Sequence, residues 1–363
     1  MDIVRATREY EKWLRRVTHV VPAELALKHR LMAESPFAFL RATFYRWMQQ
    51  WPKQCKELQD APVVLAIGDL HIENFGTWRD DEGRLVWGVN DFDEAARLPY
   101  VIDLVRLATS VLLAVAEGGI AVKPKDACAA ILAGYREGLE AGGRPFVLAE
   151  QHPWMLRIAE KQLRAPREFW DKLTSFRKVP KSRIPGEVTK RFEEVLPREC
   201  TDYAVVLREA GLGSRGQQRL VAVAEHGASL IAREAKALRQ SAVTWALAQN
   251  SLQIHYREIM DSSVRARDPH VHVFDKWLVR RLAPDCSRIE VSQFPEKGYQ
   301  LRLLNAMGWE TANVHLGSRQ TKAILRDLDR RGKKWLLESA RSMKKVVQKD
   351  WSDWRKSQLP AKR

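Results

Sequence analysis

Cysteine is scarce in this chain of 363 residues: Cys55, Cys128, Cys200 and Cys286 stand far apart and form no Cys-x-x-Cys pair. That spacing signals neither a zinc site nor a disulfide framework, and the four are read as buried, reduced thiols. Apolar runs of the roughly 18 to 20 residues needed to span a bilayer are missing as well. The opening "MDIVRATREYEKWLRR" is charged throughout, where an export signal would carry an apolar stretch. A soluble, cytoplasmic protein without a membrane span is therefore expected. Internal repeats and low-complexity segments are also lacking. Acidic residues are outnumbered, 45 against 61 Lys and Arg, giving a formal net charge of +16. This excess calls for an acidic partner, whether nucleic acid, a membrane surface or a phosphorylated substrate.

With 45% hydrophobic residues, the chain can bury the core of one large domain or two ordinary ones. From Arg331 onward, eleven Lys and Arg face only Glu338, Asp350 and Asp353. Trp335, Leu336, Met343, Val346, Val347 and Trp354 recur there at helical intervals, which predicts an amphipathic helix with a solvated basic face. Nucleic acid is a partner such a face can take, though a wet surface is the favoured reading.

Residues 1 to 60 carry helical patterns, including "SPFAFLRATFYRWMQQW" after a Ser35-Pro36 start signal, and no glycine-rich turn. "PVVLAI", Pro62 to Ile67, suits a short buried strand. "FGTWRDDEGRLVWGV" predicts a hairpin whose Asp80-Asp81-Glu82-Gly83 turn places glycine where positive φ is needed. "YVIDLVRLATSVLLAVAEGG" predicts an apolar helix ending at Gly118-Gly119. Residues 123 to 200 continue mostly helical, with "KVPKSRIPGE" as a surface loop. From Thr201 the β-branched runs and the glycine-rich turn Gly211 to Gly216 predict a small antiparallel sheet followed by a helix. Val271 to Ala283 reads as a strand and Leu301 to Arg363 as long helices. The expected class is α+β, in three parts: a helix-rich region at 1–200, a small β region at 201–285 and C-terminal helices at 286–363 that complete the fold.

"IGDLHIENFG", at the end of the first strand, sets Asp69, His71 and Asn74 within six positions. Phosphoryl transfer needs a carboxylate that orients or deprotonates the attacking hydroxyl and oxygen ligands that hold magnesium against phosphates. Kinase-type loops supply an Asp, an Asn five residues later, then a hairpin delivering a second Asp before Phe. Here Asp69, Asn74, the predicted hairpin and Asp91-Phe92 follow that order and spacing. A nucleotide also needs a glycine-rich turn and a cation on a neighbouring strand. "GLGSRG" (Gly211, Gly213, Ser214, Gly216) followed by Arg233, Glu234 and Lys236 fits that need.

"GDLHIENFG" and "NDFDEA" resemble the catalytic loop and the Asp-Phe-x-x-Ala segment of aminoglycoside phosphotransferases and choline kinases. "KHRLMAESPFAFLR", "NDFDEAARLPYVIDLVRLATS" and "WLVRRLAPDCSRIE", taken with that loop, resemble the bacterial family catalogued as domain of unknown function 2252, which is regarded as protein-kinase-like. The resemblance implies a two-lobe kinase-like fold. It casts Asp69 as catalytic base, Asn74 and Asp91 as magnesium ligands, Asp93 as a further ligand and His71 as a residue that shapes the loop. Asp103 and Arg106 either brace that loop from behind or, for Asp103, cap a helix. The implied activity is an ATP- and magnesium-dependent transfer to a small-molecule hydroxyl acceptor. Two positions depart from the family: Arg233 stands where Lys usually precedes Glu-Ala, and Ala42 follows Arg41 where glycine is usual.

The glycine-rich turn lies after the catalytic segment instead of before it, so a nucleotide site built from both requires a circularly permuted order. A two-metal phosphoesterase is a rival, since "GDLH" also resembles its first metal motif, but the later Gly-Asn-His ligands are absent. A pseudokinase or basic binding module is the other, favoured by Arg233 and the charge.

Overall fold

The computed structural model describes residues 1–163, 165–208, 211–213, 215–286, 289 and 297–359. Four helices, Ile3–Val17, Pro22–Met32, Pro36–Ala42 and Phe44–Gln54, occupy the first segment. The Ser35 start signal is a true N-cap: its Oγ accepts from Ala38 N at 3.1 Å. Three short antiparallel pairings follow. Strand β1 (Val63–Ala66) pairs with β4 (Ala96–Pro99). Strands β2 (Phe75–Arg79) and β3 (Leu85–Val89) form the expected hairpin, with β5 (Phe146–Val147) added at the edge of β3. The hairpin turn has Gly83 at φ +73°, and Asp80 closes it by accepting from Arg84 N at 2.8 Å.

The Val101–Ala116 helix is apolar on nearly every side and is buried accordingly. Around it pack the Pro124–Glu140, Lys297–Leu316 and Trp335–Gln358 helices, so the C-terminal helices join the core begun by the first hundred residues. Among the described residues no helix is long and apolar enough to cross a membrane.

A second sheet, of five antiparallel strands, has the order β6 (Tyr203–Leu207), β7 (Arg219–His226), β8 (Ser229–Ala237), β10 (Trp277–Leu282), β9 (His272–Phe274). Val271 to Ala283 is thus a tight hairpin, not a single strand, because Asp275 and Lys276 turn the chain between two short runs. The Gly186–Val195 helix covers one face, placing Val188 and Phe192 against Leu220, Ala222, Ala235 and Val279. Phe169 and Leu173 cover part of the other, against Val206, Val221, Val223, Ala232 and Leu282. The apolar unit around this sheet therefore begins near residue 166, some 35 residues before the boundary drawn from sequence at 201. Helical periodicity marks an amphipathic helix but does not name the surface it will cover. The loop expected at "KVPKSRIPGE" is only partly free, since Val179 N donates to Val205 O at 2.8 Å and extends the β6 edge.

Candidate active site

The Gly68–Asn74 loop follows β1. Gly68 has φ +81°, and a Cβ there would stand 2.4 Å from Glu94 O, so both conformation and space demand glycine. Asp103, in the first turn of the Val101–Ala116 helix and fully buried, accepts from Ile67 N (2.7 Å) and Gly68 N (2.8 Å) and pairs with His315 Nε2 at 2.9 Å. His315 Nδ1 in turn lies 2.8 Å from the Tyr135 hydroxyl. Of the two roles open to Asp103, bracing the loop is thus the one the geometry displays.

Arg106 is fully buried between the rings of Phe44 and Trp47, 5.0 and 4.9 Å from their centroids. Its Nε donates to Asp69 Oδ1 at 2.9 Å and its Nη2 bonds the same oxygen and Leu40 O. Burial pushes the Asp69 carboxyl up to about 7, against the opposing pull of Arg106 and with help from the Glu94 charge. Asn74 Nδ2 donates to Asp69 O (3.1 Å) and Asp91 O (3.3 Å), tying the loop to the segment after the hairpin. His71 is buried with Nδ1 accepting from Glu73 N at 3.2 Å and its ring edge-on to Phe37, in keeping with a loop-shaping part.

Lys236, fully buried on β8, is 3.1 Å from Asp91 Oδ1 and pairs with Asp93 as well. Burial raises the Asp91 carboxyl, but Lys236, Arg219 and Arg280 outweigh it and hold the group well below the ordinary range. Burial and the charge of Asp91 push Asp93 the other way, above its ordinary value. Glu94 fixes the far end of the segment, accepting from Arg239 Nη2 (2.7 Å), Ser241 Oγ (2.8 Å) and Ala242 N (2.6 Å).

The glycine-rich turn joins β6 to β7 and reaches the same place. A Cβ on Gly213 would stand 3.6 Å from Asp69 Oδ2 and 3.2 Å from Arg41 O, and Lys28 Nζ donates to Gly213 O at 3.2 Å. Gly211 lines the shared cavity, whereas Gly216 O accepts from Val21 N at 2.9 Å. Ser214 lies outside the described residues.

Residues 233 and 236 are an odd number apart on one strand and so face opposite sides of the sheet. Lys236 meets the carboxylates, whereas Arg233 turns away to His270 Nδ1 at 3.3 Å. Glu234 shares the Lys236 face and is fully buried beneath three guanidinium groups. Arg280 Nε donates to it at 2.9 Å, Arg219 Nη1 at 3.3 Å, and Arg208 bonds it also. Those three arginines were not legible in the sequence. Register brings two of them together, since Glu234 stands opposite Arg280 on β10 and two positions from Arg219 on β7, and Arg208 follows the end of β6.

A cavity of about 700 Å³ is lined by Asp69, Asn74, Asp91 and Asp93 together with Arg208, Arg219 and Arg280. Eight Lys and Arg line it against five Asp and Glu, which suits an anionic ligand of drug or nucleotide size. Among the described residues no group of three or more His, Cys, Asp and Glu could hold a metal ion. A hard cation would therefore rest on Asp91 and Asp93, with Asn74 and ligand oxygens. One observation fits this: Asp93 Oδ1 is buried with no hydrogen-bond partner among the described residues.

A family model described as an uncharacterized protein conserved in bacteria (DUF2252) matches residues 16–152. The match takes in Asp69, Asn74, Asp91, Asp93 and Arg106, and ends before the strands that supply Lys236 and the three arginines. No curated protein and no solved structure matches the chain.

Proposed function

We propose that this chain is an ATP- and magnesium-dependent phosphotransferase of kinase-like type, acting on the hydroxyl of a small-molecule acceptor. The observation that carries the proposal is the convergence, on one basic cavity, of an arginine-held carboxylate (Asp69) and a lysine-paired carboxylate couple (Asp91 and Asp93), with the Gly213 turn laid against the first. Asp69 would take the acceptor's proton, and a carboxyl near 7 is suited to general-base work at neutral pH. Arg106 holds its other oxygen, fixing its orientation. Asp91, Asp93 and Asn74 would hold magnesium, which when bound neutralises charge on the transferring phosphoryl oxygens. On this proposal the fold is a two-lobe kinase-like one in permuted order, with the sheet of β6 to β10 as nucleotide lobe. Support comes from Gly213 and Lys236 meeting Asp69 and Asp91 across more than a hundred residues of chain.

One observation favours a pseudokinase or binding module: Lys236 already pairs with both carboxylates that a metal would need. ATP turnover by the purified chain against a library of small hydroxyl compounds, with magnesium, decides between them. Turnover that Asp69→Asn abolishes supports the transferase. Nucleotide binding without turnover supports the module, and neither sinks both.

A further inference from the structure

The charged face of the five-stranded sheet is built in an unusual way. Along one face, the apolar positions Val221, Val223, Ala232 and Leu282 give way to Arg219, Glu234, Lys236 and Arg280. Glu234 has no exposed surface and accepts from three arginines at once, so three positive charges are gathered by a single negative one. One negative charge balances one guanidinium, so gathering three leaves an uncompensated positive excess at the cavity wall. Burial raises the Glu234 carboxyl, but the three guanidinium groups outweigh it and hold it well below its ordinary range. The side chains of Arg208 and Arg280 each keep 24% of their surface exposed, and both line the cavity together with Arg219. Beside this fan, Lys236 with Asp91 and Asp93 carries the opposite imbalance, two carboxylates to one ammonium.

We propose that the Arg208, Arg219 and Arg280 fan, oriented from below by Glu234, is a binding site for an oligophosphate chain. The fan supplies planar donors that match phosphate oxygens in pairs. Glu234 holds them in place before the ligand arrives, which lowers the ordering cost of binding. The adjacent acidic couple suits the divalent cation that accompanies such a chain. The proposal builds on the phosphotransferase reading of the cavity but moves phosphate recognition from Arg233 to the fan. The chain can belong to a nucleoside triphosphate or to inorganic polyphosphate, and the shared chemistry is the run of phosphates.

The experiment is calorimetric titration of the full chain with inorganic tripolyphosphate and, separately, with ATP, each with magnesium. Wild type is compared with Arg208→Gln and Arg280→Gln, and thermal melting checks that each variant is folded. Both arginine variants remove a partly exposed donor and leave Glu234 two partners. Each is expected to weaken tripolyphosphate and ATP by about tenfold or more, the scale of a charged hydrogen bond, and to flatten the salt dependence. Weakening of ATP in parallel with tripolyphosphate points to the nucleotide as the natural source, and weakening of tripolyphosphate alone points to inorganic polyphosphate. Folded arginine variants that bind tripolyphosphate as wild type does, or a wild type that fails to bind it, would overturn the proposal. A wild type that binds tripolyphosphate but turns over no nucleotide with any acceptor overturns the transferase and leaves the fan standing, so the two failures are distinct.

Discussion

Replacing Asp103 with Asn tests how the Gly68–Asn74 loop is held. The carboxylate is fully buried and serves three donors: Ile67 N at 2.7 Å, Gly68 N at 2.8 Å and His315 Nε2 at 2.9 Å. An Asn side chain of the same shape offers one carbonyl oxygen and turns an NH2 group toward the remaining donors. At least one buried N–H is then left unsatisfied, costing about 1–3 kcal/mol, and the bonds that survive lose the strength lent by a formal charge, about another 1 kcal/mol. The expected loss is about 2–4 kcal/mol of folding free energy, a large share of the roughly 5–15 kcal/mol typical of native proteins. Urea unfolding of wild type and variant, followed by tryptophan fluorescence, reads the difference. His315→Phe is the companion variant: it removes the rear donor and also strips the buried Tyr135 hydroxyl of its partner, so it should destabilise as well while leaving both backbone bonds to Asp103 in place. An Asp103→Asn protein within about 0.5 kcal/mol of wild type would refute the bracing role, because no arrangement of an amide satisfies both Ile67 N and Gly68 N.

Other outcomes follow from the site. Asp69→Asn is expected to fold normally and to lower phosphotransfer by about a hundredfold or more, the scale of a general base; a variant of near wild-type rate would remove Asp69 from the chemistry. Asp91→Asn should weaken nucleotide binding in magnesium but not without it, and equal affinities in magnesium would show that the hairpin delivers no metal ligand. Gly213→Asp places bulk and negative charge beside Asp69 Oδ2, so ATP affinity should fall sharply, and an unchanged affinity would separate the turn from the phosphates. Burial pushes the Glu310 carboxyl up to about 7, although Arg265 and Asn313 favour its charged form. The folded protein therefore holds an extra proton between its ordinary 4.5 and about 7. That contribution to stability is complete below the lower value and lost as pH rises through the upper one. Glu310→Gln should flatten the stability profile between pH 5 and 7 by up to about 1.4 kcal/mol per pH unit, and an unchanged slope in denaturation at pH 5, 6 and 7 would count against the shift.

The sequence alone determined the features that depend on neighbours along the chain. Ser35 caps the helix it was expected to begin, Gly83 takes positive φ in a four-residue turn, and Gly118-Gly119 ends the apolar helix, because caps and turns are governed by local backbone sterics and hydrogen bonds. Asp69, Asn74 and Asp91 were legible for the same reason: one loop and one hairpin set their spacing. What only the tertiary structure decided is which distant charges meet them. Lys236 finds Asp91 across 145 residues, and Arg219 and Arg280 converge on Glu234 through strand register, with Arg208 from the end of β6. Strand alternation makes the choice between Arg233 and Lys236. Once β8 is a strand, residues 234 and 236 share a face that 233 cannot. Which face turns to the cavity was not readable, because both are buried, one against the Gly186–Val195 helix and the other against Phe169 and Leu173 before it opens to charge. Apolar burial sets that orientation, and it depends on helices whose sequence shows an amphipathic stripe but not the surface the stripe will meet.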